Sequence, residues 1–310
     1  MKLLNPKLDF VFKKLLAGDT GILTDLLNSV LKLPKTRRIG SVTVKNPIIL
    51  PEEITQKYIV LDILATDKSG KNYEIEMQIR SYESYPKRAL FYLSRIYAGQ
   101  LDAGEDYEKL KPVIGIHFLD YEMFADTKDF YFRFAMRDVR YPELRLTEDM
   151  TLHIVELPKF ERIRKTGQKK GGLGEWLHFF NHAHEEDKTM RTAYKNPAIH
   201  KAFDALENLS ADETVRHLAR VREDALRNER SELFYAEKRG EKRGEKRGEK
   251  RGEKRGEKRG EYIGKINLVQ QLLKHPVTPK KVLTGKSLKD LGIILKQLEA
   301  ELKAGIVMQG

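Results

Sequence analysis

Residues 57–80 read KYIVLDILATDKSGKNYEIEMQIR, and their pattern is that of a β-hairpin. Residues 58–65 and 73–79 are rich in β-branched and apolar types, with the turn-forming run Asp67-Lys68-Ser69-Gly70 between them. Side chains alternate faces along a strand. Tyr73, Ile75, Met77 and Ile79 therefore share a face suited to the core, while Glu74, Glu76 and Gln78 share the other. On the first strand Asp62 interrupts the apolar run from Ile59 to Leu64. Positions 62 and 76 are symmetric about Ser69 in the turn, so pairing sets Asp62 opposite Glu76 or one step away. Directly opposed Cβ atoms lie about 4.5–5.5 Å apart, and two carboxylates that close do not both ionise without a cation. Taken singly, Glu74, Glu76 and Gln78 are the wet face of an amphipathic strand and Asp62 is a strand-edge residue. Taken together, with Asp62 in an apolar strand where an unpaired carboxylate is costly, they point to a divalent metal held between the strands.

Outward from the hairpin, the chain is long enough for a substantial core: 310 residues, 40% hydrophobic. It has no cysteine, which excludes disulfides and thiolate metal sites and fits a reducing compartment. No apolar run approaches the ~20 residues of a membrane span, and MKLLNPKLDF lacks the apolar centre of a signal peptide. A cytoplasmic protein with no membrane partner is expected. The net charge is +12, but EKRG occurs six times in tandem over residues 237–260 and supplies +6 of it. The global charge is thus weak support for nucleic-acid binding.

Asn5-Pro6 opens a helix as N-cap and first helical residue, with Leu8, Phe12, Leu15 and Leu16 inward and Asp9 in the first turn. A second helix is expected over residues 21–32. Residues 39–44 and 48–50 form short strands or extended connections. After the hairpin, residues 82–101 form a long helix with Leu90, Phe91, Leu93, Ile96 and Tyr97 inward. VIGIHFL, residues 113–119, suits a central strand covered on both sides, and residues 129–138 and 151–157 read as further strands. This order predicts an α/β core, a mixed sheet flanked by helices. Past Pro158, residues 161–174 form a basic, Gly-rich loop, and helices follow over 175–183 and 197–233. Two amphipathic helices, 262–274 and 287–303, close the chain. The expected organisation is a core over 1–160, a basic loop and helical extension over 161–236, the repeat over 237–261 and a small helical segment over 262–310.

The repeat is either an exposed, marginal helix or a flexible basic tether. Lys meets Glu three residues on, which helps a helix slightly. The six glycines oppose it by about 5–6 kcal/mol, and no apolar residue offsets them.

An Asp, about a dozen residues, then Glu-x-Lys or Glu-x-Gln on a paired strand is the arrangement of the PD-(D/E)XK nucleases. The chain resembles the Rpn family of recombination-promoting nucleases, also described as PD-(D/E)XK nuclease family transposases. The residues that carry the resemblance are Asp9-Phe10-Val11-Phe12-Lys13, Leu61-Asp62-Ile63-Leu64-Ala65 and Tyr73-Glu74-Ile75-Glu76-Met77-Gln78. Arg88-Ala89-Leu90-Phe91-Tyr92 through Lys111-Pro112-Val113 extend it, and it runs from about residue 5 to 160. It implies a restriction-endonuclease-like fold, metal-dependent DNA cleavage, DNA as partner, and a link to mobile elements or phage defence. Asp62, Glu76 and the backbone carbonyl of Met77 would hold Mg²⁺ or Mn²⁺ (or Ca²⁺), since hard oxygen donors suit such ions. Gln78 stands where the superfamily has Lys. Being neutral, it orients the attacking water by hydrogen bonding, and loss of the proton falls to a water that the cation acidifies. Asp9 is either an outer acidic residue of this site or a first-turn acid favoured by the helix dipole.

The remaining clusters are weaker. His178, His182 and His184 precede Glu185-Glu186-Asp187, but HFFNH lacks the glutamate of HExxH, and surface histidines are expected. Gly167-Gln168-Lys169-Lys170-Gly171-Gly172 lacks the ending of a phosphate loop. Lys159, Arg162, Arg164, Lys165, Lys169 and Lys170 could form a basic rim, and Lys13 and Lys57 are either phosphate contacts or solvated lysines. No helix-turn-helix or zinc finger supplies base readout, so an endonuclease of low sequence specificity is expected. The alternatives are an inactive DNA-binding or transposition accessory, and an interaction protein that assembles as a homo-oligomer through its C-terminal helices.

Overall fold

The computed structural model describes residues 2–46, 63–165, 171–185 and 188–307. Two helices open the chain, α1 (Asp9–Gly18) and α2 (Thr20–Leu31). α1 begins later than the Asn5-Pro6 signal suggests. Asn5 builds a turn instead: its Oδ1 accepts from Lys7 N (2.9 Å) and its carbonyl from Leu8 N (3.1 Å). Asp9 becomes the first helical residue. α2 is capped by Asp19, whose carboxylate accepts from Gly21 N (2.7 Å) and Ile22 N (3.2 Å).

Among the described residues, six strands form one mixed sheet: β1 (Val42–Val44), β2 (Ile63–Asp67), β3 (Asn72–Gln78), β4 (Val113–Leu119), β5 (Tyr131–Ala135) and β6 (Met150–Glu156). The spatial order is β1-β2-β3-β4-β6-β5. β3/β4 and β4/β6 are parallel, and the other pairs are antiparallel. The hairpin has the expected register over its described part, with Ile63 opposite Ile75 and Ala65 opposite Tyr73. Gly70 turns it at φ 86°, and the Asp67 carboxylate accepts from Ser69 N and Lys71 N. The described ladder ends one pair short of positions 62 and 76. Asp62, Lys57 and the expected strand at 48–50 lie outside the described residues.

The β3-to-β4 crossover is α3 (Tyr85–Ala98), which covers one sheet face. α1 and α2 cover the other, where Tyr73, Ile75, Met77, Ile116 and Phe118 join one apolar core with Phe10, Phe12 and Leu16. The buried stripe of α3 is Tyr85, Ala89 and Leu93. Leu90 and Phe91, expected inward, are 57% and 62% exposed. Tyr85, Ala89 and Leu93 repeat at four-residue spacing, and the turn carrying Arg88 faces the sheet with them. That phase puts Leu90 and Phe91 on the far side.

Residues 161–174 are not one loop. α4 (Leu157–Lys165) starts directly after β6, with Phe160 buried and Arg164 reaching back to Glu161, and α5 (Gly172–His182) follows. Residues 166–170 lie outside the described residues. After α6 (Lys188–Ala193) comes α7 (Pro197–Ala211), capped by Asn196 with Pro at its first position. α5 and α7 pack on α2, and Asp25 of α2 accepts hydrogen bonds from Trp176 Nε1 (2.8 Å) and Asn196 Nδ2 (2.6 Å).

α8 (Glu213–Leu272) runs through the EKRG repeat, so the repeat is helical. α9 (Lys280–Thr284) and α10 (Leu288–Val307) end the chain. Contacts divide the molecule into two units, Met1–Glu229 and Arg230–Gly310. The second has its own small core, in which Ile263, Ile266 and Val269 meet Leu283, Leu291 and Leu295. Among the described residues no helix is long and apolar enough to cross a membrane.

Candidate metal centre

The parallel pairing of β3 with β4 sets Glu74 beside Gly115, Glu76 beside His117 and Gln78 beside Leu119. The five side chains project toward α3, because side chains two apart share a face. The face is not wet. α3 lies over it, and Glu74, Glu76 and His117 are 1%, 4% and 1% exposed. Burial of ionisable groups this deep requires partners, and the structure supplies them.

His117 Nε2 lies 2.5 Å from Glu74 Oε2, and its Nδ1 lies 2.5 Å from the Tyr85 hydroxyl and 3.8 Å from Glu76 Oε2. Arg88, one turn along α3 from Tyr85, donates to Glu76 Oε1 at 2.9 Å. Gln78 Nε2 donates to the same oxygen. Burial pushes the Glu76 carboxyl up to about 6, with Glu74 adding to the rise and His117 and Arg88 opposing it. Burial alone would depress the His117 imidazole. The adjoining Glu74 carboxylate, its hydrogen bond and Glu76 outweigh that and hold it above its usual value. Burial, then Glu76, keep the Tyr85 phenol well above its ordinary range, so it remains a neutral hydrogen-bonding group.

Glu74, Glu76 and His117 each offer one ligand atom, and these atoms lie within 4.8 Å of one another. Two carboxylates and an imidazole are a donor set that a divalent ion accepts, so this buried cluster could hold one. Of the residues singled out in the sequence, Glu76 and Gln78 are brought into direct contact. Met77 points its side chain to the opposite face, into the main core, as strand alternation requires. Asp62 cannot be placed, being outside the described residues.

Asp9 comes to the edge of the same region. With Met77, Gln78, Arg80, Arg88, Arg222 and Leu226 it lines a cavity of about 40 Å³. Its carboxylate is gripped by Arg222, whose Nε lies 3.1 Å from both oxygens. It is thus more than a first-turn acid, although it does not touch Glu76 through any described hydrogen bond. Arg80, beside it, pairs with Glu229 and donates to the Leu226 carbonyl.

The expected basic rim is largely spoken for. Lys159 is buried against Glu156 (2.7 Å), Arg162 forks onto Glu122 (2.6 and 2.8 Å) and Arg164 onto Glu161. Lys169 and Lys170 lie outside the described residues, and Lys13 is buried rather than solvated. The histidines are not simple surface groups either. His178 bonds the Tyr194 hydroxyl (2.7 Å), and His182 bridges Glu161 (3.0 Å) and Glu185 (2.7 Å).

Sequence reasoning missed His117, Tyr85 and Arg222 as members of this region. For His117 a signal existed: an imidazole inside VIGIHFL, on a strand read as covered on both faces, must have a buried partner. Nothing local marks Arg222, which reaches Asp9 from 213 residues away.

No curated protein and no solved structure matches the chain significantly. A family match does, and it spans residues 6–236, which takes in the hairpin, α3, the buried acids and the part of α8 that carries Arg222. With a mixed α/β sheet of the kind that family implies and an acid cluster on its central strand, the chain belongs to the PD-(D/E)XK nuclease family transposases.

Proposed function

We propose that the protein is a metal-dependent DNA endonuclease of low sequence specificity, acting in the cytoplasm in recombination of mobile elements or in phage defence. The observation that carries this is Glu76. A carboxylate nearly sealed from water sits on a central strand, held at one oxygen by Gln78 and Arg88, with its other oxygen 3.8 Å from His117. Burying such a group is costly for the fold, and perturbed buried acids of this kind cluster at functional sites. Asp62, on the neighbouring strand in sequence, would join Glu76 and the Met77 carbonyl in holding Mg²⁺ or Mn²⁺.

When bound, the ion would polarise the phosphodiester and acidify a water. The protein's own groups do the rest. Arg88 fixes the rotamer of Glu76. Gln78, bonded to Glu76 through its amide N–H, presents its carbonyl oxygen to orient the attacking water. Arg80, Arg88 and Arg222 line the cavity where an anionic backbone would approach, each now paired with an acid that a phosphate would have to displace or share. Asp9 holds Arg222 in place.

The test is plasmid nicking with Mg²⁺ by D62N and E76Q variants. Loss of nicking with the fold intact is expected. Wild-type rates in either variant would reject the site. An inactive DNA-binding accessory is the second reading, and one observation favours it: Glu74 with His117, and Glu76 with Arg88, form two opposite-charge pairs that need no cation. Binding of DNA without Mn²⁺ binding or cleavage would select it. Homo-oligomer formation through the C-terminal helices is tested separately, by sedimentation with and without residues 262–310.

A further inference from the structure

The EKRG repeat lies outside the acid site. It forms a helix whose side chains over residues 237–258 are exposed throughout. Among the described residues none of its charged groups before Arg259 is in an ion pair, whereas Lys265 pairs with Glu261 immediately after the repeat. The period adds a repulsion. Four residues make slightly more than one helical turn, so each residue type stacks on its own kind at i, i+4: glutamate on glutamate, lysine on lysine, arginine on arginine. Like charges stacked this way oppose the helix.

The same period makes the charge one-sided. Each column advances by about 40° per repeat on a helix of 3.6 residues per turn. Over six repeats the arginine column from Arg239 to Arg251 and the lysine column from Lys246 to Lys258 come to share one half of the cylinder. That half carries about eight cations and about two glutamates, while the opposite half carries about four of each, by the same helical geometry. The repeat's whole net charge of +6 therefore lies on one side. At 1.5 Å per residue the helix is about 36 Å long, close to the axial length of ten base pairs.

We propose that this basic half-cylinder is a sequence-independent docking surface for a nucleic-acid backbone, distinct from the acid site. The choice of nucleic acid among polyanions rests on the reading of the chain as a DNA nuclease. The charge asymmetry does not. A phosphate backbone neutralises the stacked cations, removing the repulsion that opposes the helix, and contacts made to phosphate alone carry no sequence information.

The test compares two full-length triple variants of equal net charge. R243Q/R247Q/K254Q removes cations from the centre of the basic half, and K238Q/K242Q/R255Q removes them from the balanced half. Affinity for a 30-base-pair duplex and for single-stranded RNA is measured against salt in EDTA, so cleavage plays no part. The first variant should lower the slope of log K against log[salt] for the duplex by about 2 to 3, and the second by less than one. A smaller reduction of the same ranking is expected for RNA. Equal effects from both variants, or none from either, would overturn the proposal, as would loss of binding only to phosphatidylglycerol vesicles. Because no divalent ion is present, a failure here is separable from failure of the nuclease assignment.

Discussion

Replacing His117 by Gln should destabilise the protein far more than replacing Glu74 by Gln, and the second change should rescue the first. His117 faces Glu74 at 2.5 Å with both groups sealed from water. Opposite charges about 4 Å apart attract by about 4 kcal/mol at an effective dielectric of about 20, and removing one partner of a buried pair costs about 3–5 kcal/mol. H117Q strands the Glu74 carboxylate and should lose that amount. E74Q leaves an imidazole that can shed its proton and still bond the new amide, for a loss of about 1–2 kcal/mol. In the double variant two neutral amides face each other, and the loss should return to about 1–2 kcal/mol. The coupling energy is then about 4 kcal/mol. The assay is urea unfolding followed by fluorescence of Trp176, the single tryptophan, which is buried in the unit that holds the site. If E74Q/H117Q is less stable than H117Q, the two side chains do not form the pair described, and the assignment of both as buried partners fails.

Two further outcomes follow from the same packing. His153, bonded to the Tyr131 hydroxyl at 2.7 Å, is pushed down to about 4 by burial and then by Arg133. Its unfolded value is about 6.5, so the unfolded chain gains a proton that the native state refuses. Stability is lost as pH falls from 6.5 toward 4, by about 2–3 kcal/mol at pH 4.5, and urea titrations at pH 7 and 4.5 should show H153Q sparing most of that loss. Gly115→Ala would put a Cβ 2.9 Å from Leu152 Cδ1 and 3.0 Å from Leu93 Cδ2, so these packed leucine side chains must shift. A loss of about 1–3 kcal/mol is expected, and thermal unfolding should show L93V restoring part of it.

The hairpin, its register and the central strand were legible because their signals are local: β-branched runs, a Gly turn and a two-residue alternation. So was the mixed sheet, which follows from element order. What misled was burial. Glu74 and Glu76 look solvent-facing in a strand whose other face is apolar, and only the crossover helix laid over them reverses that. The stripe of α3 was misphased for a related reason. Leu90 and Phe91 outweigh Ala89 in hydrophobicity, yet Ala89 lies on the line joining Tyr85 to Leu93 and is buried with them. The loop expected over 161–174 failed because its charges are satisfied inside a helix by Glu161 and Arg164. In the repeat, a stabilising Lys-to-Glu spacing was legible, but among the described residues no ion pair forms on it, and the four-residue period also stacks like charges.

The charges of the buried cluster bear on which carboxylate a metal would need. His117 already neutralises Glu74, and Arg88 already neutralises Glu76. A divalent ion adds two positive charges to a balanced group, so holding one there calls for another anion or for release of the His117 proton. We propose Asp62 as that anion, because in the sequence it directly precedes Ile63, whose partner Ile75 adjoins Glu76. Binding of Mn²⁺, measured by calorimetry at neutral pH, should therefore fall at least tenfold in D62N and change by less than threefold in E74Q. The reverse ranking would make Glu74, Glu76 and His117 the ligands, with the His117–Glu74 contact broken on binding, and Asp62 would lose its place in the site.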